Sequence, residues 1–368
     1  MKKSRRAFVT TMVFVLVIAG GGLAQLFANP PDVLQAERRP PASLPRAASL
    51  LDGSWMEGFE NFMADRFPGR DGFRTIKALT VLDVLRQSDL DGLYFADGHV
   101  GKYEKVNPTS ATRLAQKISV VADGLATSRI YYSIVPDKSL YASRKFPGYD
   151  PALVHQLLSE KLPSYTEIDL STVLQLNDYY TTDLHWDQSR IAPVVAALGQ
   201  AMGFDTSYVE DLRSQVAGDF RGAYAGQLSL PMPPDVMTYL SSPVIDQAKA
   251  SYLNPKSGHL EPAPIYQLDQ FNSVDPYNLF LAGPQPLIVL ENPAAKTDRE
   301  LFLFRDSFSS SLAPLLIPAY SKITLIDLRY INVQLLDQYL TIPSDADVLF
   351  LYSSQVLNNS ETLMVPIR

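Results

Sequence analysis

Short apolar runs alternate with helix-like segments from about residue 109 to the end of the chain. The runs predict strands at 129–135, 165–170, 300–304, 323–326 and 348–352, with helices at 111–127, 151–162, 189–202, 308–319 and 333–339 between them. Such alternation indicates an α/β fold, in which a parallel sheet is flanked by helices on both faces. Residues 215–295 lack the alternation and are rich in Pro, Ser and Tyr, so we expect an irregular insertion there.

The pattern is different before residue 109. Apolar residues recur at three- and four-residue spacing over 54–85, which predicts helix with an interruption at Pro68-Gly69. Two apolar runs around Asp97-Gly98 predict a hairpin. Five prolines between 29 and 45 predict an extended spacer. The predicted organisation is a membrane segment at 1–28, a spacer at 29–50 and one domain at 51–368.

The N-terminus predicts export. Four basic residues, Lys2, Lys3, Arg5 and Arg6, precede residues 7–28, which carry no charge. Because positive charge stays in the cytoplasm, the rest of the chain is expected outside the cell membrane. The segment is long enough for an uncleaved single-pass anchor. Gly22-Leu23-Ala24 also fits a signal-peptidase site, in which case the protein is secreted.

Composition narrows the function classes. The net charge of −7 argues against a nucleic-acid surface. The absence of Cys excludes disulfides, a lipoprotein anchor and Cys-based metal sites. We expect no cofactor.

Two short stretches carry candidate chemistry. In the first, Ser307 follows an apolar strand and immediately precedes a helix, where unpaired backbone N–H groups can stabilise an oxyanion. A serine nucleophile also needs a base and a group that orients the base. In the second stretch, Asp183 and His185 supply both types two residues apart.

Simpler readings of the same residues stay open. Asp306 or Ser307 can act as a helix N-cap, and an isolated Asp-x-His can make only a local turn. His185 and Asp183 are also metal-ligand types, although no metal motif is present and no metal site is predicted.

The order of motifs resembles the bacterial DHHW protein family, which is related to the SGNH-hydrolase-like domains of the AlgX/AlgJ type alginate O-acetylation proteins. The family motif Asp-His-His-Trp is similar to Asp183-Leu184-His185-Trp186, and Gly-Asp-Ser-Phe-Ser is similar to Arg305-Asp306-Ser307-Phe308-Ser309. Flanking pieces such as Val135-Pro136-Asp137-Lys138 extend the resemblance over about residues 50–360. The family's Gly is Arg305 here, which we expect either to crowd the turn or to supply a cation.

The resemblance implies an SGNH-hydrolase-like (flavodoxin-like) fold with Ser307 as nucleophile, His185 as general base and Asp183 as orienter. It also implies substrate contacts from Trp186, Arg305, Asp306, Arg329 and Tyr330. The implied activity is that of a serine esterase or O-acetyltransferase that acts on an envelope polysaccharide. The acetyl group would come from a membrane-bound O-acyltransferase. The departures at Leu184 and Arg305 motivate the alternative, a non-catalytic envelope binding or scaffold protein. A metal-dependent hydrolase is the third hypothesis.

Overall fold

The structure is a computed structural model that describes residues 2–28, 30–46, 53–127, 129–143 and 148–367. The chain forms two compact units. Unit 1 comprises Met1–Asp91 with Ala225–Met232, and unit 2 comprises Gly92–Tyr224 with Pro233–Arg368. The predicted organisation, with one domain over 51–368, stays a prediction.

The helices and strands are numbered in chain order. The helices are α1 (Lys2–Phe27), α2 (Ser54–Asp65), α3 (Arg70–Leu79), α4 (Pro108–Ala122), α5 (Pro151–Ser159), α6 (Ala192–Met202), α7 (Ala223–Leu228), α8 (Pro243–Gln247), α9 (Phe308–Leu316) and α10 (Ser354–Asn358). The strands are β1 (Leu93–Ala96), β2 (His99–Lys102), β3 (Ile130–Val135), β4 (Thr166–Glu167), β5 (Arg213–Phe220), β6 (Asp235–Ser241), β7 (Lys249–Leu253), β8 (Leu260–Ala263), β9 (Leu287–Glu291), β10 (Glu300–Arg305), β11 (Lys322–Ile326) and β12 (Asp347–Ser353).

Unit 2 is built on a mixed sheet. Among the described residues its strand order is β4-β3-β12-β10-β11-β9-β7-β8. The first five strands are parallel, as the sequence predicts, and β9, β7 and β8 continue the sheet in antiparallel pairing. The predicted α/β class, a sheet with parallel strands and flanking helices, is confirmed. Part of the predicted insertion adds an antiparallel edge, which is common in large α/β sheets.

Both faces of this sheet are buried. On β10 and β12 the leucines, such as Leu303 and Leu351, belong to one apolar cluster that includes residues of α6 and α9. The alternating aromatic residues Phe304 and Phe350 belong to a second cluster with residues of α4 and α5. Since side chains alternate between faces along a strand, these continuous apolar runs are those of strands covered on both sides.

Of two local predictions, the hairpin is confirmed and the helix near 333–339 differs in type. β1 and β2 form the predicted hairpin, and its two turn residues, Asp97 and Gly98, have positive φ angles of 50° and 77°. This is the geometry that a two-residue hairpin turn requires. The predicted helix near 333–339 is instead a 3₁₀ helix over Val333–Gln338.

In unit 1, α1 is long and apolar enough to cross a membrane. The predicted break between helices is confirmed, because α2 ends at Asp65 and α3 begins at Arg70. The proline-rich stretch is more than an extended spacer. Leu34 and Arg39 form an antiparallel bridge, and both terminal nitrogens of Arg39 lie 2.7 Å from the Asp65 carboxylate at the end of α2.

Candidate active site

Ser307 lies between the carboxyl end of β10 and the first residue of α9. Its hydroxyl makes no capping hydrogen bond, because Asp306 takes that role. One Asp306 carboxylate oxygen accepts from the Phe308 N–H at 3.0 Å, and the other accepts from the Ser353 N–H at 2.6 Å. The half-buried Ser307 side chain is therefore available for another partner.

The loop that carries Asp183 and His185 is held at several points. Tyr179 and Trp186 form an antiparallel bridge that closes the loop. The Asp235 carboxylate accepts four hydrogen bonds of 2.5–2.8 Å from the backbone N–H and hydroxyl groups of Thr181 and Thr182. A loop fixed in this way needs little reorganisation to present its side chains.

A continuous hydrogen-bond chain joins the three candidate residues. His185 Nδ1 lies 2.6 Å from Asp183 Oδ1, and His185 Nε2 lies 2.8 Å from Ser307 Oγ. The Asp183 side chain is fully buried, and its second oxygen accepts from the Ala223 N–H at 2.7 Å. These distances are within the range expected for a nucleophile, its base and the group that orients the base.

Three further side chains, Tyr277, Trp186 and Ser311, support the His185 imidazole. The Tyr277 ring stacks on the His185 ring with centroids 3.8 Å apart and an interplanar angle of 8°. Tyr277 Oη and Trp186 Nε1 both donate to Ser311 Oγ at 2.8 Å. Trp186 is fully buried, so it supports the site and does not line its surface. Sequence reasoning missed Tyr277 and Ser311, because neither lies in a motif.

Lys138 supports the same loop from inside. Its fully buried ammonium donates to the carbonyl oxygens of Tyr180 at 2.9 Å and Asp183 at 2.7 Å. Burial lowers the pKa of Lys138 to about 8, against the opposing effect of the nearby Asp137, Asp183 and Asp235 carboxylates. The last residue of the Val135-Pro136-Asp137-Lys138 motif is thus a positioning residue for the Asp-x-His loop.

We expect Lys138 to make stability depend on pH. Its folded-state pKa of about 8 is below the ordinary value of 10.5, so between these values the unfolded chain binds more protons. The free energy of unfolding should therefore rise with pH in this window, by about 1 kcal/mol per pH unit relative to Lys138→Met. Denaturant titrations of both proteins at a series of pH values measure the difference, with exposed Lys256→Met as the control for loss of a lysine. A pH-independent difference between wild type and Lys138→Met would contradict this assignment.

Arg305 neither crowds the turn nor opens to solvent. Its buried guanidinium donates to Ser310 Oγ at 2.6 Å and to the carbonyl oxygens of Gly283 and Gln285 at 3.3 and 3.4 Å. Burial lowers its pKa. Arg305 therefore joins β10 to α9 and to the 283–285 segment. Like Trp186 and Asp306, it is committed to protein partners and not to a surface that a substrate can reach.

The other two predicted substrate contacts lie beyond β11. Arg329 pairs with Asp327 through two hydrogen bonds of 2.9 and 2.6 Å. Tyr330 is 49% exposed, and its ring centroid lies 5.4 Å from the Arg329 guanidinium carbon. Their contact with substrate stays a prediction.

The remaining histidines lie apart from this hydrogen-bond chain. His99 Nδ1 lies 3.0 Å from the Asp97 carbonyl oxygen, and His155 Nδ1 lies 2.5 Å from Glu167. The His259 N–H donates to Ser257. In the part of the chain that the structure describes, no group of three or more His, Cys, Asp or Glu side chains is arranged to hold a metal ion.

The structure has a mixed α/β fold with a strand–Ser–helix junction at the carboxyl edge of its parallel strands, and solved structures share this fold. A DHHW family protein from Eubacterium siraeum aligns with a TM-score of 0.60 at 18% identity, over 74% of this chain and 95% of that one. PatB1 of Bacillus cereus, solved with a sulfonyl adduct, aligns with a TM-score of 0.58 at 18% identity, over 72% and 96%. The expected resemblance to DHHW proteins is thus confirmed at the level of the fold.

More distant structures include the O-acetyltransferase domain of Pseudomonas putida AlgJ, which aligns with a TM-score of 0.40 at 13% identity over 73% of this chain and 92% of that one. No protein-family model and no curated protein sequence matches the chain.

Proposed function

We propose that this protein is an extracytoplasmic serine-type acyltransferase that moves an acetyl group onto or off an envelope polysaccharide. The observation that carries the proposal is the hydrogen-bond chain from Asp183 through His185 to Ser307 Oγ, with distances of 2.6 and 2.8 Å. The hydrogen bonds from Tyr277 and Trp186 to Ser311 support the proposal, because they hold the side chains packed around His185. A base is effective only when its ring is held in the reacting orientation.

The proposed reaction has two halves. Ser307 Oγ attacks the acetyl carbonyl while His185 Nε2 takes the hydroxyl proton, and Asp183 stabilises the imidazolium. The proton then passes to the leaving alcohol, and an acetyl-serine ester remains. In the second half a sugar hydroxyl, or water, gives its proton to His185 and attacks the ester, which restores Ser307. The Phe308 N–H is already bound by Asp306, so we infer that other backbone amides near Ser307 stabilise the oxyanion.

The proposed location follows from α1. Its apolar stretch over Arg5–Leu26 is long enough to span a bilayer, and four cations at positions 2, 3, 5 and 6 favour a cytoplasmic N-terminus. We infer a single-pass protein in which the chain after α1 lies on the extracytoplasmic side. The acetyl donor in this proposal is a membrane-bound O-acyltransferase, and the acceptor is an envelope polysaccharide.

Covalent labelling of Ser307 tests the proposal. The purified full chain in detergent is treated with a sulfonyl fluoride, a reagent class suggested by the adduct in PatB1, and peptide mass spectrometry locates the label. We expect labelling at Ser307, and His185→Gln should slow it by about 10²-fold or more, because the hydroxyl loses its base. Ser257→Ala, which removes an exposed hydroxyl, should label as wild type. A folded protein that does not label at Ser307 would support the non-catalytic scaffold.

A further inference from the structure

Unit 1 carries an outer apolar patch that the proposed reaction does not use. The patch consists of five residues that are between 37% and 74% exposed: Phe67, Phe73, Ile76, Val84 and Leu85. The rings of Phe67 and Phe73 meet edge to face with centroids 5.2 Å apart. Exposed apolar residues that are grouped in this way mark an interaction surface more often than scattered ones do.

The patch follows one run of helix. Phe73 and Ile76 are three residues apart on α3, and Ala78 on the same helix is fully buried. A π-helical turn over Thr80–Val84, with a 2.8 Å hydrogen bond from the Leu85 N–H to the Thr80 carbonyl, continues α3 to the end of the patch. The π turn is a rare element that is frequent at functional sites. The helical segment 70–85 therefore exposes four large apolar side chains, Phe73, Ile76, Val84 and Leu85, while Ala78 faces the interior.

The position of α1 in the same unit indicates what covers this face. Residues 5–20 of α1 are exposed, and the helix becomes half-buried only towards its C-terminal end, at Gly21, Gly22 and Gln25. α1 also contacts α2, the helix that leads into α3. If α1 spans a bilayer, this contact places α2 beside the membrane, and α3 begins five residues after α2 ends.

We propose that the outer apolar patch inserts into the outer interface of the same lipid bilayer that α1 spans, a proposal that rests on the membrane location inferred above. Interfacial amphipathic helices bury one apolar face to a depth of about 5–10 Å while cations stay at the headgroups. The exposed Lys77 follows Ile76 within the patch, where its ammonium lies 3.3 Å from Asp91, and the exposed Arg86 follows Leu85. Both cations fit that level, whereas the exposed Asp83 reduces the net positive charge. The contact is therefore driven by apolar area more than by charge.

The absence of Cys makes the test direct, because each single-Cys variant carries one label. Full-length Ile76→Cys and Val84→Cys are labelled with an environment-sensitive fluorophore and reconstituted into phosphatidylcholine–phosphatidylglycerol vesicles. Quenching by lipids that carry a nitroxide on the acyl chain then reports contact with the hydrocarbon. Val216→Cys on β5 is the matched control, since Val216 is an apolar residue with 70% exposure in unit 2. Val13→Cys reports insertion of α1.

We expect labels at 76 and 84 to be quenched at least about twofold more than the label at 216. Equal quenching at 76, 84 and 216, together with strong quenching at 13, would overturn the patch proposal while leaving α1 in the membrane. It would point to a protein partner for the patch. Absence of quenching at 13 would overturn the membrane location itself, and the patch proposal with it.

Discussion

Replacement of Ser307 by alanine is expected to lower kcat/KM for a small activated acetyl ester by about 10⁴-fold or more, because the proposed nucleophile itself is removed. The expected fall is large because Oγ is the atom that forms the bond in the first half of the proposed reaction. Stability should change little, since Ser307 is only half-buried and its hydroxyl does not cap α9. Initial rates with the full chain, and a thermal unfolding curve for each variant, measure both effects.

Variants of the other two candidates sharpen this result. Residues that act as one unit are not additive, so Ser307→Ala combined with His185→Ala should be no slower than Ser307→Ala alone. Asp183→Asn removes the anion that accepts from the imidazole at 2.6 Å, and a loss of about 10⁴-fold in kcat is expected. Ser257→Ala should retain full activity. If Ser307→Ala hydrolysed the ester at the wild-type rate, the proposed role of this site would be wrong.

The sequence predicts the parallel half of the sheet because each of its strands is an apolar run bounded by helices. It could not predict β7, β8 and β9 in this way, because the pairing of antiparallel strands depends on turns and tertiary contacts that leave no fixed period. It likewise indicated Ser307, Asp183 and His185 through residue type and the strand–helix junction. His185 and Ser307 are 122 positions apart in sequence, and only the fold brings them together.

The supporting residues of the site were beyond the reach of sequence reasoning for a different reason. Tyr277 lies in a 3₁₀ helix over Pro276–Leu279, inside the region that we could interpret only as irregular. Trp186 and Asp306 lie in recognisable motifs, but a motif does not tell whether a polar atom faces substrate or satisfies a neighbouring backbone group. Asp306 does the latter with both of its oxygens.

Gly222 lies in a tight contact with Thr182 and Asp183, where an added side chain is expected to lower both stability and activity. A Cβ at this position would lie 2.4 Å from Asp183 Cβ and 2.4 Å from both the carbonyl carbon and oxygen of Thr182. Two of these three atoms are backbone, so they cannot move aside as a flexible side chain does. The Gly222 N–H also donates to Thr182 Oγ1 at 2.8 Å, and the next amide, of Ala223, holds Asp183 Oδ2. Gly222 therefore lets the 222–223 backbone pass close to the Thr182–Asp183 backbone, and this close crossing holds the Asp183 carboxylate in place.

Gly222→Ala is expected to lower the free energy of unfolding by about 1–3 kcal/mol, as overpacking of a tight contact does. Because a displacement of about 1 Å at a catalytic group costs about 10²-fold in rate, kcat should fall to a similar extent. Gly72→Ala is the matched control, since a Cβ there meets no atom within 4 Å and α3 should gain up to about 1 kcal/mol. Denaturant titration and ester hydrolysis separate this variant from Ser307→Ala, which loses activity alone. A Gly222→Ala protein with wild-type rate and stability would contradict this prediction. The Thr182–Asp183 backbone could then shift without disturbing His185, and the close crossing would have no part in positioning the base.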